Sequence, residues 1–321
     1  MEQEKILVVL PVKEEHKERI RNAAPDAKTT YCLEAEVTKE QVQDADIIIG
    51  NVKPEFLKDS RNLRWIQLNN AGTEGFCVPG ILPKQAQLTN ATGAYGMAIS
   101  EHLIAMLFVL QKRLDIYQNQ QKDHHWEKQT HMMVTEGSHV LVIGLGDIGT
   151  TFARKMKALG AHVTGIRKSR KPKPEYVDAQ YTMEALPELL PQADIVALSL
   201  PGYSDTKGVI GEKELHLMKE NTILLNVGRG TAIDSLALAK ALQERAIYGA
   251  GLDVTDPEPL PEDHPLWDAP HCIITPHVSG GYALPETLEK ILELSIENLE
   301  RYEKGETLHN IIDFSTGYVK R

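Results

Sequence analysis

Short apolar runs alternate with polar stretches of helical spacing along the first part of the chain. Residues 14–23 and 39–43 are predicted to be helices, and apolar runs of strand length separate them. The runs predicted to be strands are residues 6–10, 45–50, 65–69 and 87–90. Strands that alternate with helices in this way predict a small parallel α/β layer.

A strongly apolar helix is predicted at residues 100–113, and the same alternation continues beyond it. Its charge-free part is too short to cross a bilayer, so we expect it to be buried between two domains. The strands predicted after it are residues 139–143, 161–166, 194–200, 222–227, 248–254 and 272–276, with helices near 148–159, 213–218 and 234–244. Six strands make a doubly wound sheet. The last helix, at about 284–303, is amphipathic and is predicted to return the chain to the first domain.

The segment after the strand at 139–143 has the pattern G-x-G-x-x-G. Gly144 would allow a tight turn, Gly146 would let the backbone approach a pyrophosphate, and Gly149 would let the helix pack close to the strand. The helix N-terminus would supply free N–H groups to the pyrophosphate. Glycines also occur in ordinary turns, but the following helix and strand complete a βαβ unit. The segment therefore predicts a dinucleotide site, with contacts from Gly144, Gly146, Asp147, Ile148 and Gly149.

The length and composition fit a globular chain of two domains. The 321 residues suffice for two domains of about 150 residues each. A hydrophobic fraction of 42% and a charged fraction of 25% exclude a disordered or fibrous chain. The net charge of −10 argues against bulk attraction to nucleic acid or to an anionic membrane. We therefore expect neither a nucleic-acid partner nor a membrane association.

The cysteines suggest a reducing environment. Cys32, Cys77 and Cys272 are odd in number and form no C-x-x-C pair, so neither a disulfide framework nor a zinc site is expected. The N-terminal segment is charged and has no signal-peptide pattern. These features predict a cytoplasmic protein.

A histidine-rich segment, His124-His125-Trp126 with His131, raises the question of a metal site. Its spacing is not that of a helical ligand pair, and no carboxylate–histidine motif accompanies it. We interpret it as a solvated helix or loop and expect no metal.

Three polar residues follow the ends of predicted strands in the second half of the chain. Arg229, Glu258 and His277 lie just beyond the strands at 222–227, 248–254 and 272–276. In open α/β sheets this edge binds ligands, so the three side chains are expected to converge near the dinucleotide. Singly, they could be a surface charge, a turn residue and an ordinary strand-end histidine. Together, after a dinucleotide fingerprint, they predict a catalytic site.

With the fingerprint, these segments resemble the D-isomer-specific 2-hydroxyacid dehydrogenases over nearly the whole chain. The resemblance implies that Arg229 holds the substrate carboxylate, that His277 is the acid/base and that Glu258 pairs with His277. It implies two doubly wound parallel-sheet α/β domains: a Rossmann dinucleotide-binding domain (98–284) inserted in a smaller flavodoxin-like substrate domain (1–97 and 285–321). It also makes a two-fold homodimer built on the nucleotide domain the expected assembly.

The chemistry of a 2-oxo acid reductase requires these residue types. A hydride delivered to the carbonyl carbon leaves an alkoxide that needs a proton, and the substrate carboxylate must be anchored to fix the face of attack. Arg229 offers a planar fork to a carboxylate. A carboxylate beside His277 favours the protonated imidazole that can donate to the alkoxide. The cofactor performs the redox step.

The resemblance implies further contacts on the same sheet edge and in a loop of the first domain. Asp253 would face the nicotinamide, or would be an ordinary strand-end turn residue. Tyr95 would border the substrate, or would only pack at a domain hinge. The chain departs from the family at Ser199, where His is frequent, and at Asn69-Asn70, where Ser or Gly is usual, so the substrate stays open. The implied contacts are Leu200, Pro201, Thr206, Val227, Gly228, Arg229, Asp253, His277 and Gly280 for the cofactor, and Asn70, Ala71, Gly72, Tyr95, Arg229 and His277 for the substrate.

The cofactor can be predicted at the end of the second strand of the nucleotide fold. NAD enzymes place an acid there, against the ribose 2′-hydroxyl. This chain has Arg167-Lys168-Ser169-Arg170, with no acid. The basic segment could bind a 2′-phosphate, as in NADPH-preferring glyoxylate and hydroxypyruvate reductases, or could be a solvated loop. The sequence predicts NADP as the cofactor, with NAD less favoured.

Two classes of function fit these features. The first is a reductase that transfers a hydride from NADPH to a 2-oxo acid and yields a D-2-hydroxy acid. The second is an NAD(P)H-sensing interaction protein, because corepressors of this fold keep the same three residues. The absence of long disordered arms favours the enzyme. Formate dehydrogenase is disfavoured, since that enzyme has Gln where Glu258 stands here.

Overall fold

The computed structural model of the chain describes residues 3–73, 75–168, 171–202, 204–281 and 284–320. Within these ranges the strands are β1 (Lys5–Val9), β2 (Lys28–Cys32), β3 (Ile47–Gly50), β4 (Trp65–Gln67), β5 (Gln87–Thr89), β6 (His139–Ile143), β7 (His162–Ile166), β8 (Ala179–Tyr181), β9 (Ile195–Leu198), β10 (Ile223–Asn226), β11 (Gly249–Leu252), β12 (Cys272–Ile274), β13 (Ile312–Asp313) and β14 (Tyr318–Val319). The α-helices are α1 (Glu14–Ala23), α2 (Lys39–Asp44), α3 (Pro54–Leu57), α4 (Gly96–Lys112), α5 (Leu114–Lys122), α6 (Asp147–Ala158), α7 (Leu186–Leu189), α8 (Glu212–Leu217), α9 (Ser235–Gln243) and α10 (Pro285–Glu303).

The chain divides into two compact units. One unit is Met1–Tyr95 with Tyr282–Arg321, and the other is Gly96–Gly281. The boundaries predicted from the sequence, at 97/98 and 284/285, lie close to these points. That these two units are the two predicted domains stays a prediction.

The first unit is built on a parallel sheet in the order β2-β1-β3-β4-β5. This is the flavodoxin-like order of the doubly wound folds. The central strands β1 and β3 are almost continuously apolar because helices cover both faces of a parallel sheet. Leu7, Ile48, Ile66 and Leu88 form the centre of the core.

A buried polar network ties α10 to the sheet of this unit. Asn298 donates to Gln67 Oε1 at 2.8 Å, and Thr89 Oγ1 donates to the same oxygen at 2.7 Å. The indole of Trp65 donates to Thr89 Oγ1 at 2.8 Å. All four side chains are fully buried, so each polar atom must find its partner inside the protein. The network therefore specifies where the C-terminal helix docks.

The second unit contains a seven-stranded parallel sheet in the order β12-β11-β10-β9-β6-β7-β8. From the central β6 the chain first builds β7 and β8 on one side, and then β9 to β12 on the other. This is the Rossmann arrangement, and the reversal leaves a crevice at the carboxyl ends of β6 and β9. The predicted fold class of two parallel-sheet α/β domains is confirmed.

The structure corrects the predicted number of strands. The nucleotide sheet has seven strands instead of six, because β8 was not predicted, and β2 was missed in the first unit. Both are edge strands with half-exposed side chains, and their sequences, Ala-Gln-Tyr and Lys-Thr-Thr-Tyr-Cys, contain no apolar run. A strand at a sheet edge is not buried on both faces, so it carries little of the pattern on which the prediction depended.

The apolar helix predicted at 100–113 begins earlier, at Gly96, and ends at Lys112 as α4. Arg113 then adopts a left-handed conformation, with φ of 55°, and α5 follows at once. Among the described residues, none of the helices combines the length and the hydropathy needed to cross a membrane.

Candidate active site

The dinucleotide fingerprint lies at the crevice between β6 and β9. Gly144, which follows β6, has a φ of +104°, and its N–H donates to Ile166 O at 2.9 Å. The hydroxyl of Ser199, which follows β9, donates to Gly144 O at 2.7 Å. Ser199 stands where the family frequently has His, and here it links the two strand ends. The geometry agrees with the strand-to-helix turn that the fingerprint predicts.

The glycines of the fingerprint meet different constraints. A Cβ on Gly149 would lie 1.9 Å from Gly144 O, so no side chain fits between α6 and the strand turn. A Cβ on Gly146 would meet no protein atom within 4 Å. The fold itself therefore requires Gly149, whereas Gly146 leaves open space at the N-terminus of α6. That space suits the close approach of an anionic ligand to the helix N–H groups.

Asp147 opens α6, and its carboxylate faces a neighbouring helix. Asp147 Oδ2 accepts a hydrogen bond of 2.8 Å from the N–H of Gly96, the first residue of α4. A Cβ on Gly96 would lie 2.6 Å from Asp147 Oδ1, so the two helix ends are in close contact. Because α4 engages this carboxylate, a cofactor contact of Asp147 would come from its main chain. The contacts predicted for Asp147 and Ile148 stay predictions.

Glu258 and His277 form the pair that the sequence predicts. His277 Nδ1 and Glu258 Oε1 are 2.6 Å apart, and both side chains are partly exposed to solvent. With Nδ1 directed at the carboxylate, Nε2 is the ring nitrogen that is not engaged by Glu258. His277 has a φ of 51°, in the left-handed region, and its N–H donates to Asp253 O at 2.8 Å. A non-glycine residue in this region needs support from its surroundings and is often part of a functional site.

Asp253 supplies that support. Its side chain is buried at the end of β11, and it accepts four hydrogen bonds: at Oδ1 from Thr275 Oγ1 (2.6 Å) and Val278 N (2.9 Å), and at Oδ2 from Ser279 N (3.1 Å) and Ser279 Oγ. Burial raises the pKa of this carboxyl, but the hydrogen bonds from Ser279, Thr275 and Val278 outweigh burial, and the net pKa is below its usual value. The carboxylate is therefore charged and holds the loop on both sides of His277. The nicotinamide contact implied for Asp253 stays a prediction.

Arg229 follows β10, the strand next to β11. Its side chain is half-buried, its Nη1 donates to Gly228 O at 2.9 Å, and Asn226 Nδ2 donates to Arg229 O at 3.0 Å. A Cβ on Gly202 would lie 3.2 Å from Arg229 Cγ, so the stem of the arginine crosses the loop after β9. The structure thus pairs Glu258 with His277 and places Arg229 at the same sheet edge. The catalytic roles of the three residues remain predictions.

The other predicted cofactor contacts lie along this edge. Leu200, Val227 and Thr206 are buried, and Gly280 is half-buried in the loop that follows His277. Thr206 Oγ1 donates to Pro201 O at 2.7 Å and so closes the loop after β9. Gly228 lies against this loop, because a Cβ there would meet Leu200 O at 2.5 Å.

The basic segment after β7 has a partner that sequence reasoning missed. Lys168 Nζ lies 2.6 Å from Asp205 Oδ2, in the loop after β9. Hydrogen bonding and the charge of Lys168 lower the pKa of the Asp205 carboxyl. The expectation that no acid is available here is therefore corrected: the segment itself contains none, but the neighbouring loop brings one. Arg167 is half-buried, and its buried Nε has no hydrogen-bond partner among the described atoms, while Ser169 and Arg170 lie outside the described residues.

The predicted substrate loop belongs to the first unit. Asn90 Nδ2 donates to Ala71 O at 2.6 Å, and Ala91 N donates to Asn70 O at 2.9 Å. The hydroxyl of Tyr95, which is buried, donates to Asn69 O, and burial raises its pKa well above the usual value. The Tyr95 hydroxyl therefore supports the loop by binding to the main chain of the loop. Gly72 completes the loop, and Asn70 Oδ1 is buried without a partner among the described atoms.

The histidine segment lies between α5 and β6. His125 Nε2 is 3.1 Å from Glu127 Oε2, both side chains are exposed, and Trp126 is 96% exposed. In the described part of the chain, no three His, Cys, Asp or Glu side chains are grouped as metal ligands would be.

Comparison with known proteins identifies the family. A family model described as D-isomer specific 2-hydroxyacid dehydrogenase, NAD binding domain, matches residues 104–279. The glyoxylate reductase of Thermococcus litoralis is 30% identical over 290 residues, which are 86% of this chain and 86% of that protein. The hydroxypyruvate reductase of Blautia hydrogenotrophica is 29% identical over 287 residues, 86% of this chain and 88% of that protein.

Comparison with solved structures points to the same family. A D-isomer specific 2-hydroxyacid dehydrogenase family protein from Aeromonas salmonicida superimposes with a TM-score of 0.86 at 29% identity, covering 97% of this chain and 99% of that chain. A D-isomer specific 2-hydroxyacid dehydrogenase from Xanthobacter autotrophicus, in complex with NADPH and MES, gives a TM-score of 0.79 at 25% identity, with 98% and 100% coverage.

The chain therefore belongs to the D-isomer specific 2-hydroxyacid dehydrogenase family. It is an NAD(P)-binding oxidoreductase of that family, and the resemblance predicted from the sequence is confirmed. The relatives reported above are named as reductases or dehydrogenases, which gives the corepressor-like alternative no support.

Substitution of the fingerprint glycines should separate folding from cofactor binding. Gly149→Ala should lower the free energy of unfolding by about 1–3 kcal/mol, because its Cβ collides with Gly144 O. Gly146→Ala should change stability by less than about 0.5 kcal/mol but weaken NAD(P)H binding about tenfold or more, because its Cβ occupies only ligand space. Urea unfolding and fluorescence titration with NADPH measure the two effects. Unchanged affinity in Gly146→Ala would contradict the placement of the pyrophosphate.

Proposed function

We propose that this enzyme transfers a hydride from NADPH to a small 2-oxo acid and releases a D-2-hydroxy acid. The observation that carries the proposal is the pair formed by His277 and Glu258, 2.6 Å apart, at the carboxyl edge of a dinucleotide-binding sheet. Glyoxylate and hydroxypyruvate are the first substrates to test, because the relatives from Thermococcus litoralis and Blautia hydrogenotrophica are named for them.

The residues at the sheet edge suit a bound dinucleotide. Gly146 leaves open space at the N-terminus of α6, and the first N–H groups of a helix have no partner within the helix and can bind an anion there. Leu200 and Pro201 follow β9, and Val227 follows β10, at the same edge of the sheet. When bound, NADPH supplies the hydride.

The protein's own residues would anchor the substrate and supply the proton. The guanidinium of Arg229 would hold the substrate carboxylate by charge-assisted hydrogen bonds and fix which face of the carbonyl is presented. The imidazolium of His277, held at Nδ1 by Glu258, would donate the proton on Nε2 to the alkoxide oxygen as the C–H bond forms, and would be left neutral. Asn70, Ala71 and Gly72 would add main-chain contacts to the carboxylate.

Replacement of the proton donor and of the anchor should give different kinetic signatures. His277→Ala should lower kcat by about 10²–10⁴-fold with little change in NADPH affinity, because only the proton transfer is lost. Arg229→Ala should raise KM and lower kcat/KM by about 10²-fold, and Arg229→Lys should fall between, because it keeps the charge without the planar fork. Steady-state kinetics with a panel of 2-oxo acids, together with NADPH titration, measures both.

His216→Ala is the matched control, because His216 is an exposed histidine on α8 of the same unit, and its kinetics should equal those of the wild type. Retained turnover in His277→Ala would remove the proposed acid. If no 2-oxo acid is reduced although NADPH binds tightly, the proposed substrate class is wrong.

We further propose that NADPH is preferred to NADH. The segment after β7 offers basic groups and no acid to the ribose, and Arg167 Nε lacks a partner among the described atoms. The structural neighbour from Xanthobacter autotrophicus is a complex with NADPH. Asp205 opposes this preference, because it occupies Lys168 and would repel a 2′-phosphate.

The preference for NADPH over NADH should depend on the charges of Arg167 and Asp205. We expect kcat/KM for NADPH to exceed that for NADH by about tenfold or more at low salt, and Arg167→Asp to reverse the order. Asp205→Asn should increase the preference for NADPH severalfold, because it removes the repulsion and releases Lys168. Arg154→Asp makes the same charge change as Arg167→Asp on the exposed face of α6, and should leave the ratio unchanged. Equal use of both cofactors by the wild type would refute the proposal.

We also propose a two-fold homodimer formed through the nucleotide-binding unit. Exposed apolar side chains cluster in the chain between α4 and β6, where Leu114, Trp126, Met132 and Val134 are 49%, 96%, 50% and 65% exposed. Large exposed apolar side chains mark a protein interface where they form one contiguous patch, and a dimer through this segment requires such a patch. A cytoplasmic location remains a proposal, supported by the odd number of cysteines, Cys32, Cys77 and Cys272, and by the lack of a C-x-x-C pair among them.

The oligomer should depend on that segment. Sedimentation velocity at micromolar concentration should give the mass of a dimer for the wild type, and Trp126→Ser combined with Val134→Ser should shift it toward the monomer, because apolar area leaves the interface. The exposed pair Leu33→Ser and Val78→Ser, in the first unit, is the control and should stay dimeric. A monomeric wild type would exclude the proposed assembly.

A further inference from the structure

We propose that His102, on α4, is a positioning residue that holds the catalytic loop of His277 through Thr275 and Asp253. His102 Nε2 lies 2.9 Å from Thr275 Oγ1, and Thr275 Oγ1 lies 2.6 Å from Asp253 Oδ1. The proposal rests on the role proposed above for His277. Nothing in the sequence motifs indicated His102, because it lies in a strongly apolar helix, 173 residues before Thr275 in the sequence.

The direction of each hydrogen bond in this chain follows from chemistry. A charged carboxylate can only accept, so the single hydroxyl hydrogen of Thr275 is donated to Asp253. Thr275 Oγ1 can then only accept from the imidazole, so His102 must carry a hydrogen on Nε2. The same nitrogen is 3.7 Å from Asp253 Oδ1, so the N–H dipole also faces the buried negative charge. His102 thus supports the carboxylate of Asp253 through the hydroxyl of Thr275.

The loop of His277 depends on Asp253 at several points. Val278 N and Ser279 N donate to its two carboxylate oxygens, and the N–H of His277 donates to its main-chain carbonyl. The left-handed conformation of His277 is held by these bonds. Thr275 lies at the start of the loop, and His102 is the side chain that orients its hydroxyl. A shift of Thr275 or Asp253 would therefore move the imidazole that donates the proton.

Loss of His102 should slow proton transfer without loss of ligand binding. His102→Leu removes the donor at similar volume, and Thr275→Val removes the hydroxyl without a change of shape. Either change should lower kcat about tenfold, because a displacement well under 1 Å at a reacting group is costly, while KM and NADPH affinity stay within about twofold. His102→Gln places an amide N–H near the position of Nε2 and should restore most of the kcat.

Two measurements distinguish positioning from a general loss of structure. The solvent deuterium isotope effect on kcat should rise in His102→Leu and Thr275→Val, because proton donation becomes more rate-limiting. A smaller folded fraction would lower kcat equally in H2O and D2O. The double variant should be no slower than either single variant, since both break the same chain of hydrogen bonds.

Thr135→Val is the structural control, because it deletes another buried threonine hydroxyl in the same unit, one that donates to Gln111 at 3.1 Å. It should lower the melting temperature without any change in kcat or in the isotope effect. Unchanged kcat and isotope effect in His102→Leu, with His277→Ala inactive, would overturn this inference alone. Activity retained in His277→Ala would instead overturn the proposed acid, and with it the need for a positioning residue.

Discussion

The buried carboxylate of Asp253 is the interaction on which the catalytic edge of the sheet depends. A carboxylate at the buried end of β11 loses several kcal/mol of hydration unless donors in the protein replace water. The donors of Thr275, Val278 and Ser279 come from the loop around His277, and they keep the group charged. The loop conformation that carries His277 is therefore the one that satisfies the buried charge. A single polar residue thus specifies a backbone conformation that the local sequence would not adopt unaided.

The topology of the parallel sheet explains why residues distant in sequence meet at this edge. Adjacent strands β10, β11 and β12 end at the same side, and the chain that follows them carries Arg229, Asp253 with Glu258, and His277. The reversal between β6 and β9 opens the crevice beside them, at the turn of Gly144. Within the fingerprint, Gly149 satisfies a packing demand of the fold and Gly146 leaves room for a ligand. One motif therefore combines a structural and a binding requirement.

Much of this arrangement could be predicted from the sequence because buried parallel strands are continuous apolar runs and the candidate site residues follow their ends. The central strands were found in this way, whereas β2 and β8 were not, since edge strands need no apolar run. The pair of Glu258 and His277 was predicted from a family resemblance and lies at hydrogen-bond distance. Contacts between loops could not be predicted from the sequence. Lys168 and Asp205 form a hydrogen bond, and no local pattern in either segment indicates the other.

That contact changes how the cofactor site should be understood. The absence of an acid from the segment after β7 was the basis for predicting NADP, but the loop after β9 brings Asp205 to Lys168 of that segment. Exposed ion pairs are worth only about 0–1 kcal/mol, so the link between Lys168 and Asp205 is weak enough for a phosphate to displace. A phosphate carries more negative charge than a carboxylate and presents more acceptor oxygens. Under the proposed preference for NADPH, the choice between the two cofactors would depend on a competition between Asp205 and the phosphate for the ammonium group of Lys168, with the half-buried Arg167 favouring the phosphate.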